Sequence, residues 1–301
     1  MHFAALLLPD FALILAGWLI CHFTPLNRSV WHPVERLVYY LLFPVLLFLS
    51  IVKAPIDLGE ASNLMAAGLL LSAGGVALAW LLPYLPGLAR RIDGRDHAGA
   101  AQVAFRFNSY IALALAARVA GDEGLQAVAI LIGVCVPFIN MAAVWPMARH
   151  NDSRMLGALV RNPLILATVC GLAFNLWGFS LPVWLSPSLQ RVGATAVPLG
   201  LMAVGAGMHW GSLQTGTWLT ASLLGIRHVL MPLWGWALAY GMGLDAVQTT
   251  VLVAFAALPT ASSCYVLAVE MGFRGPYVAG LVTLSHLVAL VSLPLALGLL
   301  T

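Results

Sequence analysis

The stretch Ala254–Gly272 reads A-F-A-A-L-P-T-A-S-S-C-Y-V-L-A-V-E-M-G. It has the length and apolarity of a membrane-crossing helix, yet a proline, a threonine and two serines stand in its middle. Pro259 has no amide hydrogen and its ring collides with the preceding turn, so the helical ladder loses a bond there. In hydrocarbon, a carbonyl freed in this way is tolerated only where it faces protein or a watery cavity. Thr260, Ser262 and Ser263 place hydroxyls beside the gap. The combination predicts a discontinuous transmembrane helix of the kind that builds transporter sites near the bilayer midplane. The plainer reading, a proline kink patched by neighbouring helices, is common in membranes. The rest of the chain weighs against it.

Of 301 residues, 61% are hydrophobic and 8% charged, against roughly 25% charged in soluble proteins. This is the composition of an all-α polytopic membrane protein. At about 20 apolar residues per crossing, the length accommodates ten helices. They are expected near 3–21, 34–52, 63–86, 98–118, 125–148, 160–179, 189–208, 216–240, 245–269 and 276–299. The first follows no basic leader or small-residue cleavage site and is expected to be a retained span. No basic tract suits nucleic acid. Cys21, Cys135, Cys170 and Cys264 are scattered through apolar segments without a C-x-x-C pair, so neither a metal site nor a disulfide framework is expected.

The net charge of +3 rests on arginines and the single Lys53, and it speaks to topology. Arg28 and Arg36 flank the first connection, and Arg90, Arg91 and Arg95 the third. Arg149, Arg154 and Arg161 flank the fifth, around Asn151-Asp152, and Arg274 flanks the ninth. The alternate connections have only Lys53, Arg118 and Arg191 near them. By the positive-inside rule the odd connections face the cytoplasm and both termini lie outside.

An internal repeat accompanies this pattern. Pro9, Gly17 and Pro44 are answered by Pro163, Gly171 and Pro198 at one offset, 154 residues. Gly121, which closes A-L-A-L-A-A-R-V-A-G, is answered by Gly272 at an offset of 151. Five spans is an odd number, so two such halves, 1–150 and 151–301, enter the membrane in opposite directions. That is the inverted-repeat architecture of many secondary transporters. The 151 offset sets F-R-F-N-S-Y-I-A-L-A of the fourth span against the opening stretch, with Asn108 opposite Pro259 and Ser109 opposite Thr260. The fourth span has no proline there, so a second break is left open.

Arg106, deep in that fourth span, costs about 2.5–3.5 kcal/mol to insert. Its planar donor fork suits a substrate carboxylate; the plainer role is snorkelling to a nearby interface. Asn108, Ser109, Pro259, Thr260, Ser262 and Ser263 complete the candidate substrate site. For Arg227 and His228, midway along the eighth span, three roles stay open: substrate contact, partner of freed helix carbonyls, or ion pair. Asp10 and His286 are further pathway or coupling candidates. Carboxylates are scarce in the spans, so coupling to a proton or to sodium is left open, as is assembly into a homodimer. Without H-E-x-x-H, G-x-S-x-G, a P-loop or paired intramembrane carboxylates, an enzyme is not expected, and no cofactor is called for.

Taken together, P-D-F-A-L-I-L-A-G, L-V-Y-Y-L-L-F-P, F-N-S-Y-I-A-L-A-L, G-A-T-A-V-P-L-G-L-M-A-V-G-A-G and A-L-P-T-A-S-S-C-Y-V-L-A-V-E-M-G resemble the auxin efflux carrier family. That family includes plant PIN exporters and bacterial permeases such as malonate carriers. The resemblance runs over essentially the whole chain. It implies a scaffold of spans 1, 2, 6 and 7 beside a transport unit of spans 3–5 and 8–10. It also implies fourth and ninth helices that break and cross near an organic anion, with Asn108 matching the family asparagine and Pro259 the crossover proline. Two departures stand out. Many members carry Gly-x-Pro where this chain has Leu113-Ala114-Leu115, and Arg106 is not part of the general pattern. The absence of a long hydrophilic central connection implies the compact bacterial form in the inner membrane. The expected function is permeation of a small organic anion; a non-transporting receptor or assembly subunit on the same fold is the alternative.

Overall fold

The computed structural model describes residues 3–53, 62–88, 90–150, 163–207 and 216–300. Arg154, Arg161 and the Asn151-Asp152 connection lie outside the described residues, as do the side chains of Asp10 and Lys53. Every regular element among the described residues is helical. Among the described residues, three helices are long and apolar enough to cross a membrane: Ser62–Tyr84, Ile130–Arg149 and Gly275–Leu300.

In chain order the helices are α1 (Phe3–Phe23), α2 (Arg28–Leu37), α3 (Phe43–Lys53), α4 (Ser62–Leu81), α5 (Gly94–Ala100), α6 (Ser109–His150) and α7 (Pro163–Leu176). There follow α8 (Ser186–Ala206), α9 (Thr217–Gly225), α10 (Met231–Gly241), α11 (Ala246–Ala257), α12 (Ser263–Glu270) and α13 (Gly275–Leu300). One widened turn, Val38–Leu42, joins α2 to α3, and another, Ile226–Leu230, joins α9 to α10. Such π-turns often sit at functional sites; the second presents Arg227 and His228.

The distribution of polarity is inverted relative to a water-soluble fold. Leu233, Trp236, Val291, Leu295 and Leu299 are exposed, while Arg106, Asn108, Arg227, His228 and His286 are buried. Lipid accepts the apolar exterior, and every polar group inside it needs a partner. Trp177, Trp184, Tyr84 and Tyr240, all highly exposed, stand at helix ends or in connections, where aromatic rings favour the membrane interface.

Two close packings tie the sequence halves together. A side chain added at Gly17 of α1 would meet the Met202 carbonyl oxygen of α8 at 1.9 Å, and one at Gly205 of α8 would meet the Ile14 oxygen at 1.8 Å. These glycines let the two backbones touch, as small residues do between membrane helices. The second packing joins α3 to α7, where Phe48 meets Phe174 with ring centres 5.6 Å apart and Asn175 donates to the Val52 carbonyl.

The stretch expected as the fourth span is interrupted. After α5 the chain tightens into a 3₁₀ turn, Ala101–Ala104, leaves helical geometry through Arg106–Asn108 and resumes as α6 at Ser109. The stretch expected as the ninth span stops at Ala257 and resumes at Ser263. Gly121, inside the α6 stretch, has φ 57° and ψ −139°, so the chain turns sharply there. Gly272, just past α12, has φ 77°. Both lie in the left-handed region that glycine enters without steric cost, so each resumed half-helix is closed by a glycine turn.

Replacing Gly205 with alanine forces a methyl group onto the Ile14 carbonyl. The expected loss is about 3 kcal/mol, the upper range for overpacking. Gly298→Ala, which meets nothing within 4 Å, is expected to lose nothing. Thermal unfolding of both variants in detergent checks the pair.

Candidate functional site

The two interruptions cross. The Asn108 amide donates to the Pro259 carbonyl at 3.0 Å, so each break supplies what the other lacks. A second link lies one turn away, where Gln102 Nε2 donates to the Gly99 carbonyl at 3.0 Å and to the Cys264 carbonyl at 3.1 Å. Phe107 packs on Phe255, with ring centres 4.1 Å apart. The fourth-span break needs no proline because Asn108 acts as a helix cap. Its Oδ1 accepts from the Ile111 amide and its carbonyl accepts from Ala112. Asparagine is among the strongest N-caps because its side chain competes with the helical ladder for the first amides.

The carbonyls left by Pro259 are taken up by Arg227. In an unbroken helix the amide of residue 259 would bond Phe255, and proline has none. Arg227 Nη2 donates to the Phe255 carbonyl at 3.3 Å, and its Nε donates to Leu258 at 2.6 Å. Of the three roles open for Arg227, the structure places it as the cap on the C-terminal end of α11, where a cation also complements the helix dipole. Beside it, His228 joins Ser292 and Ser285, each at 2.9 Å, and Ser285 Oγ accepts from the Thr260 amide at 2.9 Å. His286 Nδ1 donates to the Val282 carbonyl at 2.9 Å, leaving Nε2 to face the Asn108 amide group at 3.4 Å.

Against the crossing lies a partly open recess. Arg106, Phe107, Asn108 and Ser109 line it from one break, and Ala261, Ser262 and Ser263 from the other. Val136, Ile139 and Asn140 of α6, Phe43 and Leu46 of α3, and Val197 of α8 complete the wall. The first residues of α6 and α12 both face this space, so two helix N-termini bring their positive ends to it. Ser262 Oγ is buried without a hydrogen-bond partner. Arg106 is held in place by neutral oxygens: Nη1 donates to Gln102 Oε1 at 2.9 Å and Nη2 to Asn140 Oδ1 at 3.1 Å. No carboxylate pairs with it among the described residues.

Of the seven candidate substrate residues, Arg106, Asn108, Ser109, Ser262 and Ser263 thus meet at one recess. Pro259 and Thr260 lie behind the wall, bonded to Asn108 and Ser285. Arg227 and His228 support the crossing from the far side of α11, and His286 reaches the recess only through Asn108. Gln102 and Asn140 went unnoticed in the sequence. Their signal was there, since both are amides inside apolar runs and Gln102 precedes Arg106 by one helical turn.

The sequence matches the family described as "Membrane transport protein" over residues 146–297. An "Uncharacterized transporter" of Methanothermobacter thermautotrophicus is 26% identical over 287 residues, covering 94% of this chain and 93% of the relative. A "Putative malonate transporter" of Rhizobium meliloti is 27% identical over 291 residues, covering 89% and 86%.

Truncating Arg227 to methionine removes two charge-assisted hydrogen bonds and leaves the Phe255 and Leu258 carbonyls bare. The expected loss of stability is about 2–4 kcal/mol. In the Pro259→Ala background, where residue 259 regains an amide for Phe255, the same truncation is expected to cost less. Thermal unfolding of the two single variants and the double variant measures that coupling.

Proposed function

The chain belongs to the membrane transport protein family, and from that premise we propose that it is a secondary transporter for a small organic anion, a carboxylate, working by alternating access. The coarser part is established by kinship: this is a membrane transporter and not an enzyme. The anion is supported chiefly by one observation. The N-terminal ends of α6 and α12 and the buried guanidinium of Arg106 converge on one recess, and no carboxylate pairs with that guanidinium among the described residues. A carboxylate entering there would meet a planar donor fork, the positive ends of two helix dipoles and the unpartnered Ser262 hydroxyl. One relative is named a putative malonate transporter, and malonate carries two carboxylates.

The architecture proposed for this work is ten spans in two inverted five-helix repeats. Several features support it. An exchange of halves that carries the first span to the sixth and the second to the seventh turns the α1–α8 packing into the α7–α3 packing. One contact made twice in this manner is what a pseudo-twofold axis produces. The matched glycines Gly121 and Gly272 both adopt positive φ, each just after a resumed half-helix. On this reading spans 1, 2, 6 and 7 form the scaffold. Spans 3–5 and 8–10 form the transport unit, which carries the crossing. The arginine bias supports odd connections in the cytoplasm and both termini outside, and the proposed location is a bacterial inner membrane. His286, bonded to the recess residue Asn108, is the group through which a coupling proton would act on the site.

Uptake of radiolabelled mono- and dicarboxylates into sealed proteoliposomes tests the reading. Wild-type protein is expected to accumulate at least one carboxylate, and Arg106→Gln to lower its uptake at least tenfold, the loss of one charge-assisted anchor. Arg106→Lys is expected to restore only part, since a point charge replaces a fork. Binding of every ligand without passage across the sealed membrane would overturn transport.

A further inference from the structure

Away from the recess, charged groups also gather around the start of α2. Among the described residues Glu35 is the only carboxylate in the buried set, with no exposure at all. Arg28 Nη1 donates to its Oε1 at 2.5 Å, and the Tyr265 hydroxyl donates to the same oxygen. Arg28 Nη2 in turn donates to the Tyr265 oxygen at 2.8 Å. Burial works against the Arg28 charge, but Tyr265 and Glu35 outweigh it and hold its pKa above the ordinary arginine value. The other carboxylate oxygen, Oε2, is buried with no partner. A side chain added at Gly207, just past α8, would meet the Tyr265 hydroxyl at 2.3 Å. The phenol therefore leaves α12 and ends in a socket between α2, which supplies Arg28 and Glu35, and the end of α8. Beyond it, Glu270 at the end of α12 bonds Tyr40 and faces Arg36 and His32.

The position of this cluster matters as much as its chemistry. α12 starts at the recess with Ser263 and runs toward the ninth connection, so Tyr265 lies about 3 Å along its axis from the recess wall. Glu35 precedes the recess residue Phe43 by eight positions, about 12 Å toward the first connection. Tyr265, Glu35 and Arg28 accordingly stand between the recess and the side on which the first and ninth connections lie.

We infer that Tyr265, Glu35 and Arg28 form a gate that closes the recess toward the first and ninth connections and comes apart when the substrate anion passes on that side. The inference rests on the transporter reading for what passes, but not for the closure itself. The gate joins the proposed scaffold to the proposed transport unit through a side chain that needs α2 and the end of α8 at once. Sliding α12 along the scaffold removes the Tyr265 hydroxyl from Glu35 and Arg28 together, so the contact exists in one arrangement of the two units and not in another. A buried carboxylate with one bare oxygen keeps that arrangement from being too stable to leave, because an unpaired buried polar atom carries a desolvation cost.

Thiol accessibility tests the gate without any transported substrate. Ser263→Cys, in a chain whose four native cysteines are replaced, is reacted with a membrane-impermeant maleimide in vesicles. The reagent is added on the side where Ser29→Cys, exposed in the first turn of α2, reacts. Reaction at position 263 from that side is expected to be slow with the gate intact. It is expected to rise about tenfold with Tyr265→Phe, Glu35→Gln or Gly207→Ala, with no rise from the opposite side. Gly207→Ala displaces the phenol without altering any charge. Unchanged rates in the variants, or equal acceleration from both sides, would overturn the gate. A one-sided rise in a protein that moves no carboxylate would sink the transport reading and leave the closure standing.

Discussion

The hydrogen bond from the Asn108 amide to the Pro259 carbonyl is the point on which the rest of the structure depends. Hydrocarbon offers no water to a broken helix, so each interruption has to find its missing donors and acceptors in protein. Here two breaks solve each other's problem by crossing, and the surroundings complete the satisfaction. Arg227 covers the carbonyls that Pro259 cannot serve, Gln102 ties the two breaks together, and Ser285 receives the Thr260 amide. Because the backbone is satisfied within the crossing itself, what the two helix starts bring to the recess is the positive end of each dipole. The site is thus a by-product of the way the breaks are stabilised, and the anion proposed for it matches the ends of the half-helices that point inward.

What the sequence disclosed follows from how local each signal is. Pro259 with its neighbouring hydroxyls announces a break because the steric and hydrogen-bonding consequences of proline are confined to its own turn. Asn108 announces the other break less clearly. An asparagine within an apolar span can cap a helix or bond a neighbour, and only the Pro259 carbonyl, distant in sequence, decides between them. For Arg227 the cap was one of three roles the sequence left open, since the carbonyls it serves belong to another helix. Glu35 gave no signal at all. A carboxylate at the edge of a span is ordinary, and nothing in its neighbours shows that Tyr265 and Arg28 converge on it.

The helix packing shows a division of labour between backbone and side chains. Where α1 meets α8 the contact is backbone on backbone through Gly17 and Gly205, an interface with no room for adjustment. Where α12 meets α2 the contact is made by a long side chain reaching a charged pair. Close backbone contact resists sliding because any shift brings a Cβ onto a carbonyl. Contact through one phenol can be released by moving one side chain. The rigid and the releasable interfaces therefore fall on different pairs of helices, as the fixed and moving parts of the proposed transporter would require.

Arg106 and Arg227 are both buried, and both are held by uncharged oxygens. If the unit carrying them shifts across the membrane field, the empty carrier moves positive charge, at about 2.3 kcal/mol per elementary charge for each 100 mV traversed. A bound anion cancels part of that charge, and a dianion cancels all of it. Membrane voltage would then act mainly on the unloaded return of the carrier and little on its loaded passage. Exchange of one anion for another, in which the site never crosses empty, would be nearly indifferent to the potential.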